Sequence, residues 1–335
     1  MPQPCSLDGK TIVICYPVSP ENLDQIRQAA PSSHVRLADQ QNIDQMILDA
    51  DIFCGHAKEK PLPWAEVVQQ GRLQWIQSSA AGMDHCLVPE VIASEIPVTS
   101  ASGLFANQVA EQTFALLFGV LRNAVVFYRQ QQARQFVRRP TDDLHGKTVG
   151  IIGFGGNGRR IAKVLSPFSV RILATDMFPV DKPTYVEQLW DDSQTDRLLS
   201  ESDVVILALP LNSQTAGMFD PARFARMKKG SYLINVARGK VVSESALNQA
   251  LDDGTLLGAG LDVTEEEPLA TDSQLWDRTN VIITPHVGAQ SAHRVNDTTD
   301  FFCQNLVRYR DGQPLLNLVD KPLGFPRPEH RIRIE

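Results

Sequence analysis

Thr148-Val149-Gly150-Ile151-Ile152-Gly153-Phe154-Gly155-Gly156-Asn157-Gly158 is the stretch that decides the fold. The apolar, β-branched run from Val149 to Ile152 predicts a strand, and it passes directly into G-x-G-x-x-G. An amphipathic helix carrying Ile161, Val164 and Leu165 follows. In that strand-turn-helix setting Gly153 allows a tight turn, Gly155 lets backbone approach a pyrophosphate, and Gly158 lets the helix pack close to the strand. Gly156 and Asn157 complete the turn, and the helix amino end adds N–H groups and a positive dipole. The next predicted strand ends at Asp176, 18 residues beyond Gly158. A carboxylate there hydrogen-bonds ribose hydroxyls and repels a 2′-phosphate, and Met177-Phe178-Pro179 brings no arginine to offset it, so the expected cofactor is NAD.

Outward from this turn, strands are expected at Arg171–Thr175, Val204–Leu209, Tyr232–Asn235, Gly258–Asp262 and Val281–Thr284, with helices between most of them. Ahead of it, Asn107 to about Gln132 reads as one long helix, with Val109, Ala110, Phe114, Leu117, Phe118, Leu121 and Val125 at steps of three and four. Earlier still, short runs at Thr11–Cys15, Val35–Leu37, Asp51–Cys54, Leu73–Gln77 and Val98–Thr99 alternate with helical segments such as Ile43–Ala50. A closing helix is expected over Ala289–Arg310. Alternating strands and helices define the α/β class with parallel sheets.

The chain has 335 residues, and at roughly 150 residues per domain two domains are expected. The motifs place residues 107–288 in a cofactor unit inserted into a unit built from 1–106 and 289–335. Composition is ordinary, with 43% hydrophobic and 21% charged residues and a net charge of -7. That balance argues against disorder and against nucleic acid as the main partner. The basic run Arg134–Arg139 and the mixed-sign end from Arg327 read as solvated surface. No apolar run approaches the ~20 residues of a membrane span, and no secretory leader pattern opens the chain, so a cytoplasmic protein is expected. The five cysteines are scattered without a C-x-x-C pair and the histidines without ligand spacing, so reduced thiols and no metal site are expected.

Three predicted strand ends carry ionisable groups: Asn235-Val236-Ala237-Arg238-Gly239, then Leu261-Asp262-Val263 running on to Glu267-Pro268, then Thr284-Pro285-His286-Val287-Gly288. Ligands of open α/β sheets bind beyond the carboxyl ends of the strands, so Arg238, Glu267 and His286 are expected to converge. With Met227-Lys228-Lys229-Gly230, Leu209-Pro210-Leu211, the Gly-rich turn and the early Ala81-Gly82-Met83-Asp84, these blocks resemble the D-isomer-specific 2-hydroxyacid dehydrogenase family in the family's order and over nearly the whole chain. One departure is Asn157, where the family usually has an apolar branched residue, and Gly156 before it.

The resemblance implies two doubly wound domains, a flavodoxin-like substrate domain and a Rossmann NAD-binding domain. It implies that His286 is the acid/base, Glu267 its partner and Arg238 the clamp on the substrate carboxylate. Asp262 would meet the nicotinamide carboxamide, with Pro210 and Val236 also lining the cofactor. Backbone around Ala81 and Gly82 would receive the carboxylate of a small 2-keto or 2-hydroxy acid. It further implies a homodimer built on the long helix and the arm Val125–Asp143. Two other readings stand beside it. A dinucleotide-sensing corepressor would share the fold, although no long disordered extension supports that role. Formate dehydrogenase is disfavoured, because that branch carries glutamine where Glu267 stands.

Overall fold

The computed structural model describes residues 6–57 and 59–332. The chain divides into two compact units: one ends at Phe105 and resumes at Ser291, and the other is Ala106–Gln290.

In the first unit, β1 (Thr11–Cys15), β2 (His34–Leu37), β3 (Ile52–Gly55), β4 (Trp75–Ser78) and β5 (Val98–Thr99) form one parallel sheet in the order β2-β1-β3-β4-β5, the flavodoxin-like order. Both faces are covered, which is why β1, β3 and β4 are buried throughout rather than alternating. One core gathers Val13, Phe53 and Ile76 with Trp64, and the other gathers Ile12, Ile14 and Trp75 with Phe302 and Leu306 of the helix Arg294–Arg310.

The second unit contains β6 (Thr148–Ile152), β7 (Arg171–Asp176), β8 (Gln188–Asp191), β9 (Val204–Leu207), β10 (Ser231–Asn235), β11 (Leu256–Leu261) and β12 (Val281–Ile283). Their order, β12-β11-β10-β9-β6-β7-β8, is the Rossmann order with a seventh strand added, and every pair is parallel. Successive residues of β9 feed opposite cores: Val204 and Ile206 face the helix Ala106–Leu121, while Val205 and Leu207 face Phe219 and Leu247. The chain's order reverses at β6, so the Gly-rich turn leaves the sheet at its topological switch point.

Three expectations need correction. The long helix is two, Ala106–Leu121 and Ala124–Gln132, bent by 70°. Asn123 between them sits at φ 55, a left-handed conformation that asparagine tolerates better than most residues, and this breaks the helix. The closing helix begins at Arg294 rather than Ala289, because the N–H groups of Gln290 and Arg294 close isolated turns onto the Val287 and Ser291 carbonyls instead of starting a helical ladder. β8 was missed: its exposed ends and polar Gln188 and Asp191 hide an edge strand. Among the described residues no single helix is long and apolar enough to cross a membrane. The described cysteines, Cys15, Cys54, Cys86 and Cys303, are buried and form no disulfide; Cys5 lies outside the described residues.

Candidate active site

Every group singled out in the cofactor unit leaves the carboxyl edge of its sheet. After β6, Gly153 adopts φ 94, and a Cβ there would stand 2.6 Å from the Ala208 carbonyl oxygen. Gly158 is tighter: its Cβ would meet the Gly153 oxygen at 2.0 Å. The helix Gly156–Leu165 has Gly155 as its N-cap and no capping side chain, which leaves its first N–H groups for an external acceptor. Beside this turn, the carboxylate of buried Asp176 accepts from the Phe154 N–H at 2.8 Å and the Phe178 N–H at 3.0 Å. A bare helix end at a glycine cradle, with an acid fixed at the end of the next strand, fits a dinucleotide. Pro210 follows β9 and Val236 follows β10; Val236 is buried, and the Pro210 carbonyl accepts from the Thr215 hydroxyl.

At the end of β10, Asn235 fixes the turn that carries Arg238. Its side-chain oxygen accepts from the Ala237 N–H, and its amide donates to the Arg238 carbonyl. The Arg238 guanidinium donates to the Ala237 carbonyl at 2.6 Å. The next residue must be glycine, since a Cβ on Gly239 would lie 1.6 Å from the Thr264 carbonyl oxygen. Close approach of these two loops brings Arg238 near enough to Glu267 to act on its charge.

Glu267 and His286 form a direct pair, with Nδ1 2.8 Å from a carboxylate oxygen. The other carboxylate oxygen accepts from the Thr264 N–H at 3.3 Å. Partial burial pushes the Glu267 carboxyl up. The His286 hydrogen bond and charge, the Thr264 N–H and the Arg238 charge outweigh that and hold it below the usual glutamate range. Glu265, in the same loop, accepts from the Glu244 N–H.

Asp262 anchors the segment bearing His286. One carboxylate oxygen accepts from the Thr284 hydroxyl (2.7 Å) and the Val287 N–H (3.0 Å), and the other from the Gly288 N–H (2.8 Å). Its carbonyl accepts from the His286 N–H, and His286 itself sits at φ 53. Gln112 of the helix Ala106–Leu121 reaches the Thr284 hydroxyl at 2.7 Å. Sequence reasoning missed Asn235, Thr284 and Gln112 as positioning groups. Only Asn235, a turn-forming residue at the end of a strand, offered a signal.

In the first unit, Ala81 and Gly82 follow β4 and are partly buried in a loop held by the Ser78 hydroxyl, which accepts from the Ala80 N–H. Among the described residues no cluster of histidine, cysteine, aspartate or glutamate has metal-binding geometry.

A dinucleotide cradle at a Rossmann switch point, with a histidine–glutamate pair at the same sheet edge, defines a nucleotide-dependent oxidoreductase. The chain belongs to the D-isomer-specific 2-hydroxyacid dehydrogenase family, whose NAD-binding domain model matches residues 114–288. A glyoxylate reductase of Pyrococcus furiosus is 34% identical over 262 residues, 75% of this chain and 76% of that protein. A crystal structure of a family member from Aeromonas salmonicida superposes with a TM-score of 0.78 at 29% identity, covering 94% of this chain and 100% of that one. An NADPH-dependent glyoxylate/hydroxypyruvate reductase of Sinorhizobium meliloti, solved with NADP and sulfate, gives a TM-score of 0.79 at 25% identity, over 94% and 99% of the two chains.

Proposed function

We propose that the protein is an NAD(H)-dependent reductase of small 2-keto acids that forms, or in reverse oxidises, D-2-hydroxy acids. The observation that carries this reading is the His286–Glu267 pair at the sheet edge that also bears Arg238 and the glycine turn. When bound, the reduced nicotinamide supplies a hydride to the substrate carbonyl carbon. As negative charge grows on the carbonyl oxygen, His286 donates its Nε2 proton there as general acid. Glu267, bonded to Nδ1, fixes the orientation and tautomer of the ring. Arg238 grips the planar carboxylate with a fixed, permanently charged fork that lysine cannot reproduce. By the family resemblance, the backbone around Ala81 and Gly82 is the first unit's own candidate contact for a substrate carboxylate.

Gly153, Gly155, Gly156, Asn157 and Gly158 hold the pyrophosphate, and Pro210 and Val236 line the nicotinamide half. A carboxylate has about four acceptor sites. Three of those on Asp262 are filled by its own chain, which leaves one for the carboxamide. Asp176 supports NAD over NADP by repulsion of a 2′-phosphate, a preference opposite to that of the Sinorhizobium meliloti enzyme. Tyr128, Val137 and the fully exposed Phe136 lie on and just beyond the helix Ala124–Gln132, and that apolar surface supports a homodimer.

The test is an initial-rate panel of glyoxylate, hydroxypyruvate and phenylpyruvate with NADH and with NADPH. Reduction of at least one keto acid, faster with NADH, is expected. Inactivity across the panel despite tight NADH binding would favour the dinucleotide sensor.

A further inference from the structure

The loop that leaves β7 meets an arginine from another element. Met177-Phe178-Pro179 brings no guanidinium to offset Asp176, but the folded unit supplies one. Arg159 is the fourth residue of the helix Gly156–Leu165, whose bare end stands at the glycine cradle. Its guanidinium carbon lies 5.0 Å from the centroid of the buried Phe154 ring. The Phe154 N–H is also the group that donates to the Asp176 carboxylate at 2.8 Å, so one residue of the turn links the acid to the arginine. The arginine fork is closed by Asp181, further along the same loop. One Nη donates to a carboxylate oxygen at 3.1 Å, and the other donates to the second oxygen and to the Asp181 carbonyl, both at 2.9 Å. All of these groups belong to the second unit.

Arginine suits phosphate because its planar, permanently charged fork matches two phosphate oxygens at once. Pairing with both oxygens of Asp181 uses that same fork and cancels its charge. The position over Phe154 adds an attraction that holds the guanidinium beside the turn. Its partner carboxylate is 88% exposed, and an ion pair at so open a site contributes little to stability. Stability is therefore a weak reason for so complete a pairing. Its chemical effect is to deny this fork to any other anion near the cradle.

We propose that Asp181 is a specificity-determining residue for the cofactor: it occupies the Arg159 fork and so withholds from a 2′-phosphate the guanidinium that would bind it. This rests on the NAD(H)-dependent reading, in which Asp176 repels that phosphate. Two carboxylates of one segment then act in different ways, Asp176 by repulsion and Asp181 by neutralising the cation that would compensate for it.

The test measures dissociation constants of NADH and NADPH for the full chain by fluorescence titration, without turnover. Wild type is expected to bind NADH about tenfold tighter or more. Asp181→Ala is expected to tighten NADPH about tenfold, the scale of one charge-assisted contact, and to change NADH by less than about twofold. In the Arg159→Gln background the same Asp181→Ala change is expected to lose that gain. A wild type that favours NADH and an Asp181→Ala variant with the same NADPH-to-NADH ratio overturn the proposal and leave the underlying reading standing. A gain of full size in the Arg159→Gln background also overturns it, because loss of one negative charge would then suffice. Failure of the underlying reading has its own signature, a wild-type protein that binds NADPH as tightly as NADH, and that result overturns both.

Discussion

At the residue scale the account rests on where charge is held. The lowered Glu267 carboxyl has a sign that can be checked. Its folded value lies below its unfolded one, so the ionised pair contributes stability above the ordinary glutamate range, about pH 4.3. That contribution disappears as pH falls through the lowered folded value. Glu267→Gln should therefore melt lower than wild type at pH 6 to 7, and the gap should close as pH drops below about 4. A gap independent of pH would show that charge is not what the carboxylate contributes. The same variant should lose about one to two orders of magnitude in turnover, because the ring keeps a partner but the imidazolium loses its counter-charge. At the cofactor end, Asp176→Asn should bring the NADPH and NADH rates closer together by about tenfold, measured as the ratio of kcat/KM values. An unchanged ratio would remove Asp176 from cofactor selection.

At the element scale, loops are placed by neighbours that sequence alone does not reveal. Gly239→Ala should be severely destabilising, since its Cβ would sit within bonding distance of the Thr264 oxygen. A melting temperature within a degree of wild type would contradict that packing. Asn123→Val should cost about 1–2 kcal/mol by forcing a β-branched residue into left-handed backbone, whereas Asn123→Gly should be neutral within about 0.5 kcal/mol. Chemical denaturation of the two variants measures the difference. The strands of both sheets were legible because buried parallel strands are continuous apolar runs, and β1, β3 and β4 read cleanly for that reason. β8 was not, because an edge strand needs few apolar residues. The helix break at Asn123 was hidden for a different reason: apolar periodicity continues across it through Leu121 and Val125, and only backbone geometry at one residue interrupts it. His286, Glu267 and Arg238 were named in sequence because each follows a strand. The fixed geometry of their loops was not, because it depends on contacts such as Gln112 to Thr284, 172 residues apart.

At the scale of the whole molecule, length alone gave only the number of domains, and it took the motifs to suggest an inserted unit; the chain enters the first unit, leaves it at Phe105 and returns at Ser291. The negative net charge does not draw anionic ligands; the local groups that would are the bare helix end at Gly156 and, in the proposed function, Arg238. Self-association is expected to be visible in sedimentation as a species of about twice the chain mass. Phe136→Ser with Tyr128→Ser should shift it toward monomer; a monomeric wild type would sink the dimer.

The most direct test of the central claim is a single-turnover comparison of wild type and His286→Asn, mixing the NADH complex with a reducible 2-keto acid while NADH affinity is measured separately. The account predicts that NADH binding is preserved and that the rate of NADH oxidation falls by about two to four orders of magnitude. A near-normal rate in His286→Asn would contradict it, since the proton would then have to come from a group other than this imidazole.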